Sequence, residues 1–414
     1  MSAVDVAIIG AGPAGLTAAT YLARSTLLNV VVLERESEPG GIPRHSDHPG
    51  YGIRDLKTFI TGPAYARRVA ADAREAGVTI RTDTMVTGWA GDTTLELTSP
   101  RGRERLAARA VILATGARER PRAARLIPGD RGAGVYTTGH LQNIVHLKGG
   151  KVGRRAVVVG AELVSYSAVL TLRQAGCATT LMTTRHAVPE SYGVFNLAAR
   201  TPLLGVRIAT RTRVSAIIGT PRVAAVEIEN LDTGAREIIE CDTVVLTGDW
   251  IPDHELARAA GLEIDAGTRG PLVDTALRTS RAGVFAAGNL VHPVDTADVA
   301  AIDGRHVAGQ VAAYLGGKRP AENGVRIGVE SPLRWVTPGI IRPTDPQPAR
   351  NRLLLWTDER VRRPEVTARQ GGQIIGHTSV RWPASPGRVF RVPSTILAGA
   401  DLGGGPVTLS VRER

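Results

Sequence analysis

The chain has 414 residues, 43% hydrophobic and 22% charged, and a formal net charge of +12. That composition excludes a disordered or collagen-like chain and leaves room for about two or three domains, each with its own core. The positive excess would argue for nucleic acid if it were clustered, but lysine occurs only at Lys57, Lys148, Lys151 and Lys318 and the arginines are interspersed with Asp and Glu, so no nucleic acid partner is expected.

In chain order, residues 5–10 read as a short apolar strand, "GAGPAG" (10–15) as a turn, 13–23 as a helix and "NVVVLE" (29–34) as a second strand. This βαβ unit is expected to bind an adenine dinucleotide. Gly10 makes the tight turn, Gly12 lets the backbone approach a pyrophosphate, Gly15 lets helix and strand pack closely, and Glu34 meets the ribose hydroxyls. Further on, "ERLAARAVILATGARERPR" (104–122) carries a strand ending in Ala114-Thr115-Gly116. Then "VFAAGNLVHPVDTADVAAIDGRHVAGQVAAYL" (284–315) reads as a strand, a Gly-Asn turn and a long helix capped near Asp295 or Thr296.

Between them "VVVGAELVSYSAVLTLRQAG" (157–176) begins a second βαβ unit, so one dinucleotide fold is split by a copy of itself. In that copy Glu162 stands where the second glycine belongs and Ser165 where the third does. A side chain at 162 is expected to occupy the phosphate approach and to set negative charge at the helix N-terminus, where an anion would sit. "TTLMTTRH" offers no ribose acid, only Arg185 as a possible partner for a 2′-phosphate. Nicotinamide binding in the insert is therefore not expected.

After Pro320 the pattern alternates polar and apolar residues, with Gly371-Gly372 as a hairpin signal. A small antiparallel β module follows, read as a packing or docking platform because its ionisable residues are not clustered in sequence. Cys177 and Cys241 are the only cysteines, far apart and next to expected strands, which removes a C-x-x-C redox pair and points to buried thiols. With no basic-apolar leader and no membrane-length apolar run, a cytoplasmic location without a membrane span is expected.

"GAGPAG", "ATGARERPR", "GDWIPDHEL" and "GVFAAGN" resemble, in order and spacing, the two-dinucleotide-domain flavoproteins related to thioredoxin and glutathione reductases. "GGIPRHSDHPGYGIRDLKTFITGPAYARRV" (40–69), "VVVGAELVSYSA" and "TADVAAIDGR" are similar to the FAD-binding α subunits of hydrogen cyanide synthase, opine oxidase, dye-linked proline dehydrogenase and the anaerobic glycerol-3-phosphate dehydrogenase group. The resemblance implies an α/β fold with two Rossmann-like, ββα-type domains, the second inserted in the first. FAD would occupy 1–118 and 244–325, a degenerate NAD(P)-binding-like domain 119–243, and the β module 326–414. Implied FAD contacts are Gly10, Gly12, Pro13, Ala14, Gly15, Glu34, Arg35, Gly40, Gly41, Ile42, Val86, Ala114, Thr115, Gly116, Gly288, Asn289, Thr296 and Ala297. Asn289 replaces the family's aspartate and still offers an acceptor to the ribityl chain. Trp250 either packs under that chain or forms a substrate platform, and His292 lies either near the pyrimidine edge or in a solvent-exposed loop.

If nicotinamide does not reduce the flavin, a substrate must. By resemblance Arg44, His45, His48 and Tyr51 line the isoalloxazine. A histidine suits removal of a proton from N or O before hydride leaves the adjoining carbon, and Arg44 suits a substrate carboxylate. The two histidines equally suit a structural role in a Pro-Gly-rich loop, and no metal is assigned to them. The expected activity is oxidation of the C–N bond of an amino acid, imino acid or amine. The alternatives are an electron-transfer subunit with a second dehydrogenase subunit or other protein partner, an NAD(P)H-dependent flavin reductase, and a non-catalytic flavin-binding assembly subunit.

Overall fold

The structure, a computed structural model, describes residues 2–198, 201 and 205–414. The chain folds into two compact units, one of residues 1–44, 50–117 and 252–414, the other of 45–49 and 118–251. The second unit thus ends at 251, beyond the 243 read from the sequence, and it also takes in the short segment 45–49.

In the first unit a mixed sheet runs Thr79–Arg81, Val30–Leu33, Ser2–Ile9, Gly102–Leu113, Thr94–Ser99, Met85–Trp89. The long strand Gly102–Leu113 does double duty. From Leu106 to Leu113 it lies parallel to Ser2–Ile9, its first half pairs antiparallel with Thr94–Ser99, and its last three residues pair parallel with Val284–Ala286. Val30–Leu33 is buried throughout, as a strand covered on both faces requires. Helices Pro13–Ser25 and Ala297–Leu315 pack so closely that a Cβ on Gly304 would lie 2.2 Å from the Ala14 carbonyl oxygen. Close backbone approach of this kind is what small residues permit.

The C-terminal strands belong to this same unit but enclose their own core, including Leu353, Leu355, Val366, Val392, Val407 and Leu409. They form a five-stranded sheet (Ile340–Ile341, Val325–Val329, Val407–Glu413, Pro364–Gln370, Gln373–Ser379) and a three-stranded one (Leu333–Thr337, Arg352–Thr357, Phe390–Pro393). Gly371 and Gly372 both take positive φ in the hairpin turn, at 56° and 81°. Pairing is antiparallel save between Val325–Val329 and Val407–Glu413, which run parallel.

The second unit holds a parallel sheet in the order Val135–Thr137, Thr243–Leu246, Arg155–Val159, Ala178–Thr183, Ile208–Ala209, and an antiparallel sheet of Thr212–Ile218, Ala225–Asn230 and Arg236–Glu240. Ala156 and Val158 face one hydrophobic cluster while Val157 faces another, so the central strand is buried on both sides. Among the described residues no helix is long and apolar enough to cross a membrane.

Candidate functional site

The first dinucleotide turn is built as its glycines require. Gly10 has φ 104°, and a Cβ there would lie 2.5 Å from the Ala114 carbonyl oxygen; a Cβ on Gly15 would lie 2.0 Å from the Gly10 carbonyl oxygen. A Cβ on Gly12, by contrast, would meet nothing within 4 Å, and Gly12 heads the helix Pro13–Ser25. Open space in front of a helix N-terminus is what a diphosphate needs, because the first N–H groups have no intrahelical partner. The second glycine pair closes one side: Gly40 donates its N–H to Ala11 at 2.7 Å, and a Cβ on Gly41 would stand 3.0 Å from the Gly12 Cα. Gly288, at φ 71°, abuts Ala14.

Several expected cofactor residues carry internal work. Glu34 is buried, and its carboxylate accepts the Ala11 N–H at 2.8 Å and the Glu36 N–H at 2.9 Å, leaving only its further lone pairs for a ribose. The Asn289 amide exchanges hydrogen bonds with the Asp295 backbone at 3.0 and 3.1 Å, fixing the loop ahead of the helix Ala297–Leu315. Thr115 donates its hydroxyl to the Asp253 carbonyl, Arg35 approaches the Asp253 carboxylate at 3.5 Å, Val86 is buried in the sheet and Ile42 is exposed. These residues, with Pro13, Ala14, Ala114 and Gly116, lie in the first unit.

Thr296 is the N-cap of the helix Ala297–Leu315 and takes extended backbone angles. Around it Asp295 and His292 gather with Arg54, Asp298, Asp303 and Arg391, which the sequence did not single out. Arg54 binds Asp298 through its guanidinium at 3.1 Å and its backbone N–H at 3.0 Å, and Thr296 donates its hydroxyl to the same carboxylate. Arg391, from the C-terminal sheets, pairs with Asp295, and His292 is buried against Asp303 instead of lying in an exposed loop. Three acids within "DTADVAAID" were the available signal, since buried acids demand cationic partners.

Of the four expected substrate residues, Arg44 and Tyr51 belong to the first unit and His45 and His48 to the second. Arg44 is committed to Glu36 at 2.6 Å and Glu38 at 3.2 Å and is only 12% exposed, so it is not a free carboxylate clamp. Tyr51 packs on Tyr65 with ring centroids 5.8 Å apart. His45 bonds Gln142 at 3.2 Å, and its carbonyl accepts from His146. His48 places Nδ1 2.8 Å from the Pro49 carbonyl, which fixes the proton there and leaves Nε2 to accept from Ser46 at 3.0 Å. Burial pushes the His48 imidazole below the ordinary histidine value. Glu119, within the "ATGARERPR" segment, is a further buried acid of this unit, which nothing in the sequence pattern marks. It accepts the Gly139 N–H at 2.9 Å, and burial pushes its carboxyl up.

The second nucleotide turn keeps the backbone and changes its contents. Glu162 is the N-cap of the helix Leu163–Gln174, but its carboxyl turns inward: its oxygens would lie 2.7 Å from a Cβ on Gly160 and 2.6 Å from one on Gly248. Burial pushes this carboxyl up, against hydrogen bonds from Thr247 and Ser165 that lower it. The side chain fills the crevice. Ser165 bonds Thr247 at 2.7 Å, and Thr184, paired with Glu190 at 2.8 Å, stands where the first unit has Glu34. Glu190 is pushed up to about 8, by burial and then by Glu162. Cys177 and Cys241 are buried thiols, each pushed up to about 11 chiefly by burial. Among the described residues no three His, Cys, Asp or Glu side chains are placed to hold a metal.

A glycine-lined turn opening onto a helix N-terminus, together with a second fold of the same kind, defines a two-domain dinucleotide-binding α/β protein. The sequence matches the Pyridine nucleotide-disulphide oxidoreductase family over residues 4–304, and the chain belongs to that family. It is an oxidoreductase whose cofactor is FAD. It is 28% identical over 318 residues to thioredoxin reductase of Treponema pallidum (strain Nichols), covering 75% of this chain and 97% of that one. It is 27% identical over 343 residues to an opine oxidase subunit of Agrobacterium tumefaciens (strain Ach5), covering 75% of this chain but 64% of that subunit. The crystal structure of T. acidophilum thioredoxin reductase shares the fold, with a TM-score of 0.65 and 21% identity over 77% of this chain and all (100%) of that one.

Proposed function

We propose that the protein oxidises the C–N bond of a small amine, amino acid or imino acid, with FAD held over Gly10, Gly12, Gly40 and Gly41, and that the inserted unit does not take NAD(P)H. The observation that carries this reading is the Glu162 carboxyl folded into the second turn over Gly160 and Gly248. With that turn closed to a diphosphate, the electrons would come from a substrate or from a partner protein. Disulfide reduction lacks its thiols, since Cys177 and Cys241 are buried and their pKa values are raised. The relative named as an opine oxidase subunit supports an amine-type substrate.

FAD, when bound, supplies the two-electron acceptor. The chain's part would be to hold it and its surroundings: the N-terminal N–H groups of the helix beginning at Ala297 would stabilise charge growing on the flavin pyrimidine, and Arg54 anchors the loop after Tyr51 to that helix through Asp298.

Anaerobic mixing of the purified FAD-loaded chain with a panel of amino acids, imino acids and amines is expected to bleach the flavin with at least one of them, and NADH and NADPH are expected not to. Fast bleaching by a nicotinamide with none by any amine overturns the proposal. That this relative is one subunit of an oxidase favours one second reading, an electron-transfer chain that needs a catalytic partner. On that reading every small molecule leaves the flavin oxidised until the partner is added.

A further inference from the structure

Arg350 lies in the 3-10 turn Ala349–Asn351 that enters the strand Arg352–Thr357, and both it and Asn351 take left-handed backbone angles, φ 62° and 54°. Two successive non-glycine residues in that region are costly, and such strain persists where the surroundings impose it. The conformation turns the Arg350 side chain into a recess that also contains His292, Thr275, Val291, Leu277 and Leu354. Its Nε is buried without a hydrogen-bond partner, and among the described residues its guanidinium has no carboxylate partner. The acids nearest to it are engaged elsewhere, Asp303 by His292 and Asp295 by Arg391.

Other walls of the recess present donors in the same state. His292 is 2% exposed, faces Asp303 through Nε2, and has a buried Nδ1 without a partner; the Thr275 hydroxyl, also buried, lacks one too. Burial alone would lower His292, but the Asp303 carboxylate outweighs it and holds the imidazole above its ordinary value, so Nδ1 presents a proton. Unmatched buried donors carry a desolvation cost that an acceptor would remove.

The geometry points to a binding site, between the helix Ala297–Leu315 and the C-terminal sheets, for the carboxylate of a small organic acid held by Arg350 with His292 and Thr275. A planar carboxylate matches the guanidinium fork, and apolar walls at Leu277, Val291 and Leu354 suit a short aliphatic chain better than a dianionic phosphate. The site stands independently of the electron donor proposed above, because it is defined without reference to the reacting centre.

Its test is titration of the FAD-loaded full chain with acetate and propionate against a constant chloride background, by calorimetry and by thermal unfolding. Saturable one-to-one binding is expected, with affinity lower by about tenfold or more in Arg350→Gln and partly recovered in Arg350→Lys, which keeps the charge and loses the fork. No saturable binding by the wild type overturns the site whatever the variants do. Equal affinity in Arg350→Gln removes Arg350 from it, and tighter binding of inorganic phosphate than of either acid overturns the carboxylate assignment.

Discussion

Gly12 heads its helix at φ −81°, ψ −176°, and Glu162 heads its own at φ −85°, ψ 178°. Gly10 and Gly160, each two residues earlier, both take positive φ, and each donates its N–H to the residue ending the next strand, Leu33 or Thr183. Two turns with one backbone therefore differ only in what their side chains do. In the first, space ahead of the helix is left open; in the second, a buried carboxyl fills it. The backbone geometry of a nucleotide turn is thus separable from the side chains placed on it, and the second turn differs from the first at Glu162, Ser165 and Thr184 together.

The largest expected effect comes from the position where the two turns are least interchangeable. Gly15→Ala forces a methyl group to within 2.0 Å of the Gly10 carbonyl oxygen, so helix and strand must separate. The expected loss is about 3 kcal/mol of stability, read by denaturant unfolding, together with loss of FAD. Gly12→Glu copies the second turn into the first. Because Glu162 already occupies that backbone conformation without strain, the variant should fold, while FAD affinity falls about a hundredfold or more, equivalent to about 3 kcal/mol. A Gly12→Glu protein that retains stoichiometric FAD breaks the comparison. The reverse change, Glu162→Gly, is expected not to create NAD(P)H binding, since Ser165 and Thr184 remain where Gly15 and Glu34 stand in the first unit.

What the sequence revealed and what it hid follow the same division. The two βαβ units and the Gly371-Gly372 hairpin depend on neighbouring residues and on backbone angles that glycine permits, so they were legible. Side-chain commitments made across the fold were not. Arg44 looked like a substrate clamp until the loop before it brought Glu36 and Glu38 to its guanidinium. The C-terminal module looks poor in clustered charge in sequence because Arg391 meets Asp295, and Arg350 comes near the same acidic segment without pairing to it, only in space. Glu162 stands out in the sequence as a charge at a helix N-terminus, but its inward turn over Gly160 and Gly248 and the burial that pushes its carboxyl up depend on the fold around it.

The pH dependence of stability sharpens that last point. Glu190 has a folded-state pKa of about 8, above its unfolded value, so the folded protein holds a proton that the unfolded chain has released. Stability from this group is complete below the unfolded carboxylate pKa, declines as pH rises, and is lost once pH passes about 8. Unfolding free energy should fall between mildly acidic and mildly alkaline pH. Glu190→Gln should flatten that slope and stabilise the protein at the alkaline end by about 1 kcal/mol or more. Unchanged slope in the variant would mean that Glu190 does not hold a raised pKa in the folded protein.

The smallest effect is expected at the two thiols, and it separates the chemistry of this chain from that implied by the name thioredoxin reductase. Burial raises both cysteines to about 11, leaving little thiolate at neutral pH, and each sits in a hydrophobic cluster of the second unit. Cys177→Ser and Cys241→Ser together should cost about 1 kcal/mol of stability from the buried hydroxyls, and leave the rate of flavin reduction by its substrate within about twofold of wild type. If electrons instead leave the flavin through a thiol, reduction by substrate would persist while turnover with an acceptor collapsed in the double variant. Measuring the two half-reactions separately in that variant therefore distinguishes a thiol relay from a flavin that deals directly with both donor and acceptor.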